Sequence, residues 1–182
     1  SNDKVYFIKS ERAFLLYSEA NAGKLSSSSG KTVGNVQEDL ADPMQQFQII
    51  KNGANYYLFS VGAQKYVGAN GNMEDAAKTV LNITKVDNAS YPWKMCLGSQ
   101  GMNSQEKNQT NEGIIVNGYT TTDPGNCFSI EEAIPMEKTY VITVLGTDDA
   151  GAGVSYNGQE YKNEATIQTT EVLKKAAFQA LA

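Results

Sequence analysis

The sequence predicts a mainly β protein in which one four-stranded unit occurs three times and is followed by a small C-terminal segment. The first observation is a self-similarity: residues 47–71 align with residues 81–105, strand for strand and turn for turn. Self-similarity of this kind is the signature of a repeat fold. The second observation is that the strands are short and bounded by Gly, Asn and Asp turns. That spacing indicates a sandwich or barrel rather than alternating strands and helices.

Each unit is expected to open with one strand and to close with another. The opening strands begin near residues 5, 56 and 91, and the closing strands begin near residues 47, 81 and 128. Unit one contains a long polar insertion from Gly23 to Pro43, whereas unit two is short. Because three four-stranded units make a β-trefoil, we predict that fold for residues 1–135.

The aromatic residues of unit two have counterparts in the other units. Tyr57 aligns with Trp93, and we expect both side chains in the core. Tyr66 aligns with Leu15 and Met102, which favours a core position for its ring. The alternative for Tyr66 is an exposed ring beside polar groups.

The closing strands are preceded by a short motif that varies between units. It is Gln45-Gln46-Phe47 in unit one and Asn126-Cys127-Phe128 in unit three, and it is lost in unit two, which has Thr79-Val80-Leu81. With the Gly turns and the polar loop before it, this pattern resembles the ricin-type β-trefoil, whose repeats close on Gln-x-Trp. The resemblance covers residues 4–133 and implies a carbohydrate-binding fold. In that family a sugar site combines an Asp near the start of the repeat, an aromatic platform and an Asn or Gln. No unit shows that whole set in order.

Candidate sugar-binding residues can still be named from their chemistry. Sugars stack their apolar face on a planar ring, while acidic and amide side chains bond the hydroxyls. Unit three brings a ring, an acid and two amides within ten residues, and unit two has a smaller version. The candidates are Asn117, Tyr119, Asp123 and Asn126 in unit three, and Tyr66 and Asn70 in unit two. Tyr119 is the best platform candidate, because it has no apolar equivalent in the other units.

Composition excludes several classes of partner. The chain has 182 residues, a net charge of -5 and no cluster of Lys or Arg, so we expect no nucleic-acid partner. Its apolar runs fall short of the roughly 18 residues that a membrane span needs, so we expect no membrane partner. Glycans are the expected partners of a chain that is a monomer or part of a larger multidomain protein.

Catalysis is also disfavoured. The sequence contains no His, which removes the imidazole base of most hydrolase mechanisms and the imidazole ligand of many metal sites. Paired carboxylates such as Glu131 and Glu132 fall at strand ends or turns, where solvated surface charge is the usual role. We therefore expect no catalytic residues, no metal and no cofactor.

The two cysteines, Cys96 and Cys127, fall on the strands expected to open and close unit three, which could be adjacent in the barrel. A disulfide is geometrically possible, and two buried thiols are the alternative. The sequence favours neither.

A second region begins after Pro135. Residues 139–147 alternate as a strand, and Asn157-Gly158 is a strong hairpin signal. Thr170 offers a helix N-cap for residues 171–182, with a strand over residues 177–182 as the alternative. Residues 136–182 are marginal as an independent core, so they either pack on the trefoil or begin a domain that continues beyond Ala182. The pattern Gly-Val-x-Tyr-x-Gly-x-x-Tyr resembles small β-rich modules of large secreted glycan-degrading enzymes from gut bacteria.

Together these observations favour a non-catalytic carbohydrate-binding module of a secreted bacterial glycoside hydrolase, located outside the cell, on its surface or in the periplasm. The alternative is a β-trefoil that acts as a structural spacer or a protein-interaction module and binds no sugar. An exposed ring beside convergent Asp or Asn groups would distinguish the two.

Overall fold

The computed structural model describes residues 2–104, 123–135, 137–143, 151–170 and 178–181. The chain divides into two compact regions, which we call the N-terminal region (Ser1–Pro135) and the C-terminal region (Met136–Ala182). The described residues form short strands and three 3-10 turns, with no α-helix among them, and no described helix is long and apolar enough to cross a membrane. The strands of the N-terminal region are β1 (Tyr6–Ser10), β2 (Leu15–Ser18), β3 (Lys24–Ser27), β4 (Phe47–Asn52), β5 (Asn55–Ser60), β6 (Lys65–Val67), β7 (Met73–Glu74), β8 (Leu81–Lys85), β9 (Trp93–Leu97), β10 (Gln100–Gly101) and β11 (Phe128–Glu132).

Six of these strands close into a barrel. They are the opening strands β1, β5 and β9 and the closing strands β4, β8 and β11 of the three units. β1 pairs with β4 and β11, β4 with β5, β8 with β9, and β9 with β11, all antiparallel. β5 and β8 contact each other and complete the ring. The positions predicted for all six strands are confirmed, and the fold is a β-trefoil.

The shorter strands form hairpins outside this ring. β2 pairs with β3 in unit one and β6 with β7 in unit two, while β10 returns along β9 in unit three. The stretch where unit three would complete its hairpin, residues 105–122, lies outside the described residues.

The core inside the barrel takes side chains from all three units. Its fully buried members are Ile8, Leu15, Leu25, Phe47, Leu58, Val67, Leu81, Met95, Leu97, Met102 and Phe128. The first residue of each closing strand, Phe47, Leu81 or Phe128, belongs to this set. The aromatic position of the Gln-x-aromatic motif is therefore a core position in each unit, even where Leu replaces the ring.

Two sequence predictions about the core are corrected by the register. Tyr66 lies opposite Phe59 on the outer side of the sheet, and Val67 takes the core position that aligns with Leu15 and Met102. Tyr57 is only partly buried, because successive strand residues point to opposite faces and Leu58 points inward. Trp93 is also partly exposed.

A second apolar cluster lies under the insertion of unit one. Phe7 and Phe14 pack with their ring centroids 5.4 Å apart, and Val33, Val36 and Leu40 of the insertion pack against their cluster. The polar insertion therefore carries apolar residues that cover an aromatic pair on the outside of the barrel.

The glutamine of the motif holds this insertion in place. Gln45 is buried, and its Nε2 donates to the carbonyl oxygen of Gln37 at 2.9 Å and to Asp42 Oδ2 at 3.0 Å. Its Oε1 accepts the backbone N–H of Asp39 at 3.0 Å. All three contacts lie within the loop, so this glutamine has a structural role.

The C-terminal region contains β12 (Lys138–Val141), β13 (Gly153–Tyr156), β14 (Gln159–Lys162), β15 (Thr166–Thr169) and β16 (Gln179–Ala180). β12 pairs with β15, and β13 lies between β14 and β16. The predicted hairpin is present: Asn157 and Gly158 have φ of 51° and 77°, the positive values that a two-residue type I′ turn requires.

The helix predicted for residues 171–182 is wrong at its C-terminal end. Gln179 and Ala180 form a strand against β13, and the Phe178 ring stacks on Tyr156 at 4.6 Å. The strand alternative is therefore confirmed there, because the pairing with β13 overrides local helix propensity. Residues 171–177 lie outside the described residues.

Cys96 and Cys127 are both thiols. Phe128 pairs with Trp93 across β11 and β9. In this antiparallel register Cys127 lies opposite Lys94, and Cys96 is two residues further along β9. Burial raises the pKa of the Cys127 thiol.

This pKa shift predicts different reactivities for the two thiols. Because the thiolate is the nucleophile and Cys127 is only 2% exposed, N-ethylmaleimide should modify Cys96 first at about pH 8. The fold favours the protonated form of Cys127, so this stabilisation is complete below the ordinary thiol pKa and is lost as the pH rises through the raised value. Peptide mass spectrometry measures both rates, with urea-unfolded protein as control. Equal rates in the folded protein would contradict the burial of Cys127.

Candidate functional site

The unit-three candidates are only partly within the described residues. Asn117 and Tyr119 lie outside them. Asp123 and Asn126 lie in the turn that leads into β11, and the N–H of Asn126 donates to the carbonyl oxygen of Asp123 at 2.9 Å.

Asp123 is held by contacts within the protein. Its Oδ1 accepts the Gly125 N–H at 2.8 Å, Asn103 Nδ2 at 3.1 Å and Arg12 Nη1 at 2.9 Å. The side chains of the Arg12–Asp123 pair are 19% and 22% exposed. A carboxylate oxygen with three donors is committed to the fold, so Asp123 serves mainly as a junction between unit three and unit one.

The same turn occurs in unit one. There Asp42 Oδ1 accepts the Met44 N–H at 2.9 Å, and the Gln45 N–H donates to the Asp42 carbonyl oxygen at 2.9 Å. The shared sequence is Asp-Pro, three residues before the Gln or Asn of the closing motif. This Asp-Pro signal is visible in the sequence and identifies Asp123 as a turn residue.

The turn also requires a small residue two positions after Asp123. A Cβ placed on Gly125 would lie 2.1 Å from the Ser104 carbonyl oxygen and 3.0 Å from Arg12 Nη1. Asn126 is fully buried. Neither Asp123 nor Asn126 is therefore placed on an open surface, where a sugar-binding side chain is expected.

Unit two presents a group of rings on the outer side of the barrel. We call Tyr57, Phe59 and Tyr66 the unit-two aromatic cluster. The Tyr66 ring centroid lies 5.1 Å from that of Phe59 and 6.3 Å from that of Tyr57, both edge to face. All three side chains are partly exposed. Tyr66 is thus held in a fixed orientation by two rings and still reaches solvent.

Polar side chains border this cluster. Glu74 lies opposite Tyr66 in the β6–β7 register, and its carboxylate accepts the Thr79 hydroxyl at 2.9 Å. Lys65 pairs with Asp75 at 3.0 Å on the same hairpin. A ring with a carboxylate opposite it has part of the chemistry of a shallow sugar site.

Asn70 is exposed in the turn between β6 and β7, with φ of 56°. Asn tolerates this left-handed conformation better than most residues. The two unit-two candidates, Tyr66 and Asn70, are therefore on the surface of the same hairpin.

The difference between units one and two explains the exposure of the cluster. Phe7 and Phe14 occupy the positions that correspond to Tyr57 and Tyr66, and the unit-one insertion covers them. Unit two lacks this insertion, so its rings stay partly open. The sequence alignment did not predict the exposure of these rings, because it depends on a covering loop that unit two lacks.

A polar cavity of about 300 Å³ lies beside the insertion of unit one. It is open to solvent and combines a guanidinium, hydroxyls and amides. Its lining residues are Arg12, Ser28, Ser29, Gly34, Asn35, Val36 and Gln37. The sequence reasoning missed this cavity, because its walls come from two segments that are separated along the chain.

No protein-family model and no curated protein matches the sequence. The structure is similar to a GlcNAcα1-4Gal-releasing endo-β-galactosidase from Clostridium perfringens, with a TM-score of 0.53 and 12% identity over 72% of this chain and 33% of that chain. It is also similar to a Macrolepiota procera ricin B-like lectin solved in complex with lactose, with a TM-score of 0.51 and 14% identity over 72% of this chain and 96% of that chain.

The fold is therefore the β-trefoil that the ricin B-like lectin also has. The chain spans about a third of the length of the endo-β-galactosidase and matches nearly the whole of the lectin.

Proposed function

We propose that this chain is a non-catalytic carbohydrate-binding module, and that it serves a secreted bacterial enzyme that degrades glycans. The observation that carries the proposal is the unit-two aromatic cluster, in which two rings orient Tyr66 at a partly exposed surface. Sugar recognition needs a fixed ring face or edge beside hydrogen-bonding groups. Tyr66 with Glu74 and Asn70 meets that requirement better than Asp123, which three donors within the protein hold, or Asn126, which is buried.

The fold supports the same reading. One similar structure is a lectin solved with lactose, and another is an enzyme that cleaves galactose-containing glycans, of which this chain matches a third. A β-trefoil attached to such an enzyme would keep it near its polymer. A position outside the cell, on its surface or in the periplasm is part of the proposal.

Binding by this surface should be weak. A shallow site that buries one or two sugar residues gains little, so we expect dissociation constants of about 0.1 to 1 mM. Multivalent display compensates for weak single sites, so a glycan array should detect binding of the purified protein.

The test uses paired tyrosine variants. Tyr66→Ala should reduce array binding about tenfold or more, because it removes the platform. Tyr56→Ala is the matched control: this tyrosine lies on β5 next to the cluster and is 44% exposed, but it alternates to the other side of the strand from Tyr57. Asn70→Gly removes the amide while keeping the backbone conformation, and it should also weaken binding.

Three outcomes separate the alternatives. Loss in Tyr66→Ala with retention in Tyr56→Ala supports the unit-two site. Loss in Tyr119→Ala instead places the sugar in unit three. Silence of the folded wild-type protein across the array would refute the carbohydrate-binding function in favour of a structural spacer or a protein-interaction module.

A further inference from the structure

We propose that the binding surface of unit two continues from the unit-two aromatic cluster to the tip of the β4–β5 hairpin, and that it takes an extended glycan chain of about three sugar residues rather than a single terminal sugar. This inference rests on the proposed function, because it names the ligand class of the same site. The observation that carries it is a row of rings that ends at two exposed amides, Asn52 and Asn55.

The rings and the two amides share one face of the hairpin. Phe59, Tyr57 and Asn55 alternate along β5, so their side chains point to the same, outer side. Leu58, between two of them, points into the barrel core. Asn52 lies directly opposite Asn55 in the β4–β5 register, and residues that are directly opposite in an antiparallel pair share a face. The row therefore continues beyond the aromatic cluster to both amides.

Hydrogen-bonding groups lie at both ends of this row. At one end the Glu74 carboxylate lies opposite Tyr66, and Thr79 uses two of its roughly four acceptor sites. At the other end Asn52 and Asn55 are exposed, and neither side chain has a hydrogen-bond partner among the residues that the structure describes. An amide offers two donors and an acceptor, the set that pairs with sugar hydroxyls.

The middle of the row suits the apolar faces of sugar rings. Tyr57 lies opposite Ile50, and Phe59 lies opposite Gln48. All four side chains are partly exposed. Tyr66 packs edge to face on both rings, so the aromatic surface is continuous between the two polar ends.

The separation of the polar ends sets the length of the ligand. Glu74, Tyr66 and Phe59 lie in register on three neighbouring strands, which places Glu74 about 10 Å from Phe59 across the sheet. Asn55 lies four residues from Phe59 along β5, a distance of about 14 Å. Because these two directions are perpendicular, Glu74 and Asn55 are roughly 17 Å apart. One pyranose ring cannot reach both ends, whereas a chain of about three linked rings can.

The same positions differ in the other two units. In unit one, Phe7 and Val5 take the places of Tyr57 and Asn55, and both are buried beneath the insertion. In unit three, Lys94 takes the place of Tyr57. The open row of rings that ends at amides therefore belongs to unit two, the unit that carries Tyr66.

The experiment measures how the affinity of the full chain depends on the length of a linear glycan. The probes are ladders of galactose, xylose and mannose oligomers, from the monosaccharide to the hexasaccharide, printed on one array. In the ladder that binds, we expect affinity to rise about tenfold from the monosaccharide to the trisaccharide and to level off for longer chains. Affinity that is already complete with the monosaccharide would overturn the inference, as would binding of branched array glycans without binding of any ladder.

Variants at the hairpin tip identify the far end of the surface. The double variant Asn52→Ala/Asn55→Ala should weaken trisaccharide binding about fivefold and leave monosaccharide binding unchanged. Lys51→Ala is the matched control, because Lys51 is exposed on the same hairpin but faces the other side with Tyr56. It should leave the affinity for every length unchanged, and Trp93 fluorescence checks that both variants are folded. Equal losses at all lengths in the folded double variant, or the same loss in Lys51→Ala, would contradict a subsite at the amides.

The failure of this inference is distinguishable from the failure of the proposed function. Tyr66→Ala should weaken binding at every length, because all chains lie on that ring. If array glycans bind through Tyr66 with no dependence on chain length, the extended surface is refuted while the carbohydrate-binding function stands. Silence of the folded wild-type protein across the array refutes the proposed function and this inference with it.

Discussion

Leu58→Ala should destabilise the trefoil by about 3 to 5 kcal/mol, whereas Tyr57→Ala should cost only about 1 to 2 kcal/mol. Leu58 is fully buried in the barrel core, while its neighbour on β5 is partly exposed on the outer side. The larger cost comes from the cavity that a truncated core side chain leaves. Phe47→Ala, also in the core, should fall in the same range as Leu58→Ala.

Urea denaturation measures these differences. Trp93 is the single tryptophan and lies on barrel strand β9, so its fluorescence reports unfolding of the N-terminal region. Leu58→Val is a useful intermediate, since it removes less volume and should cost about 1 kcal/mol. If Tyr57→Ala destabilised the protein as much as Leu58→Ala does, the inward and outward faces of β5 would be assigned wrongly.

Asp123→Ala should destabilise the N-terminal region by about 2 to 3 kcal/mol, because Arg12, Asn103 and Gly125 each lose their bond to one carboxylate oxygen. The pair with Arg12 is about one-fifth exposed, so the loss is smaller than for a fully buried ion pair.

Asp42→Ala is the matched control in unit one. Asp42 makes the same turn contact with the N–H of Met44 and also accepts Gln45 Nε2, whereas Arg12, the single arginine of the sequence, pairs with Asp123. Its loss should cost about 1 kcal/mol, as for a helix-capping carboxylate. A double-mutant cycle of Arg12→Ala with Asp123→Ala gives the coupling directly. Equal costs for the two aspartates, with no coupling to Arg12, would show that Asp123 is a turn residue and nothing more.

The two aspartates also show why the candidate site changed between sequence and structure. In the sequence, Asp123 is an acid within four residues of Tyr119 and Asn126, which is the composition of a sugar site. In the structure, a residue more than a hundred positions away donates to it. Contacts of this range cannot be read from local composition, although the Asp-Pro repeat at residue 42 was a usable hint.

The number of units, the positions of their opening and closing strands, and the hairpin at Asn157-Gly158 could all be predicted from the sequence. These depend on local patterns: alternating apolar residues, turn residues that accept positive φ, and core positions that recur in each repeat. The same information was enough to predict a β-trefoil, because three such units pack in that way.

The direction in which Tyr66 faces, and the exposure of the rings around it, depend on how the strands and loops pack. β6 is three residues long, and a shift of one residue in register moves every side chain to the opposite face. Gln64, with φ of 55°, lies just before the strand. The exposure of Tyr66 then depends on a covering loop that unit one has and unit two lacks. Burial is a property of the packed molecule, so the short sequence around Tyr66 could not specify it.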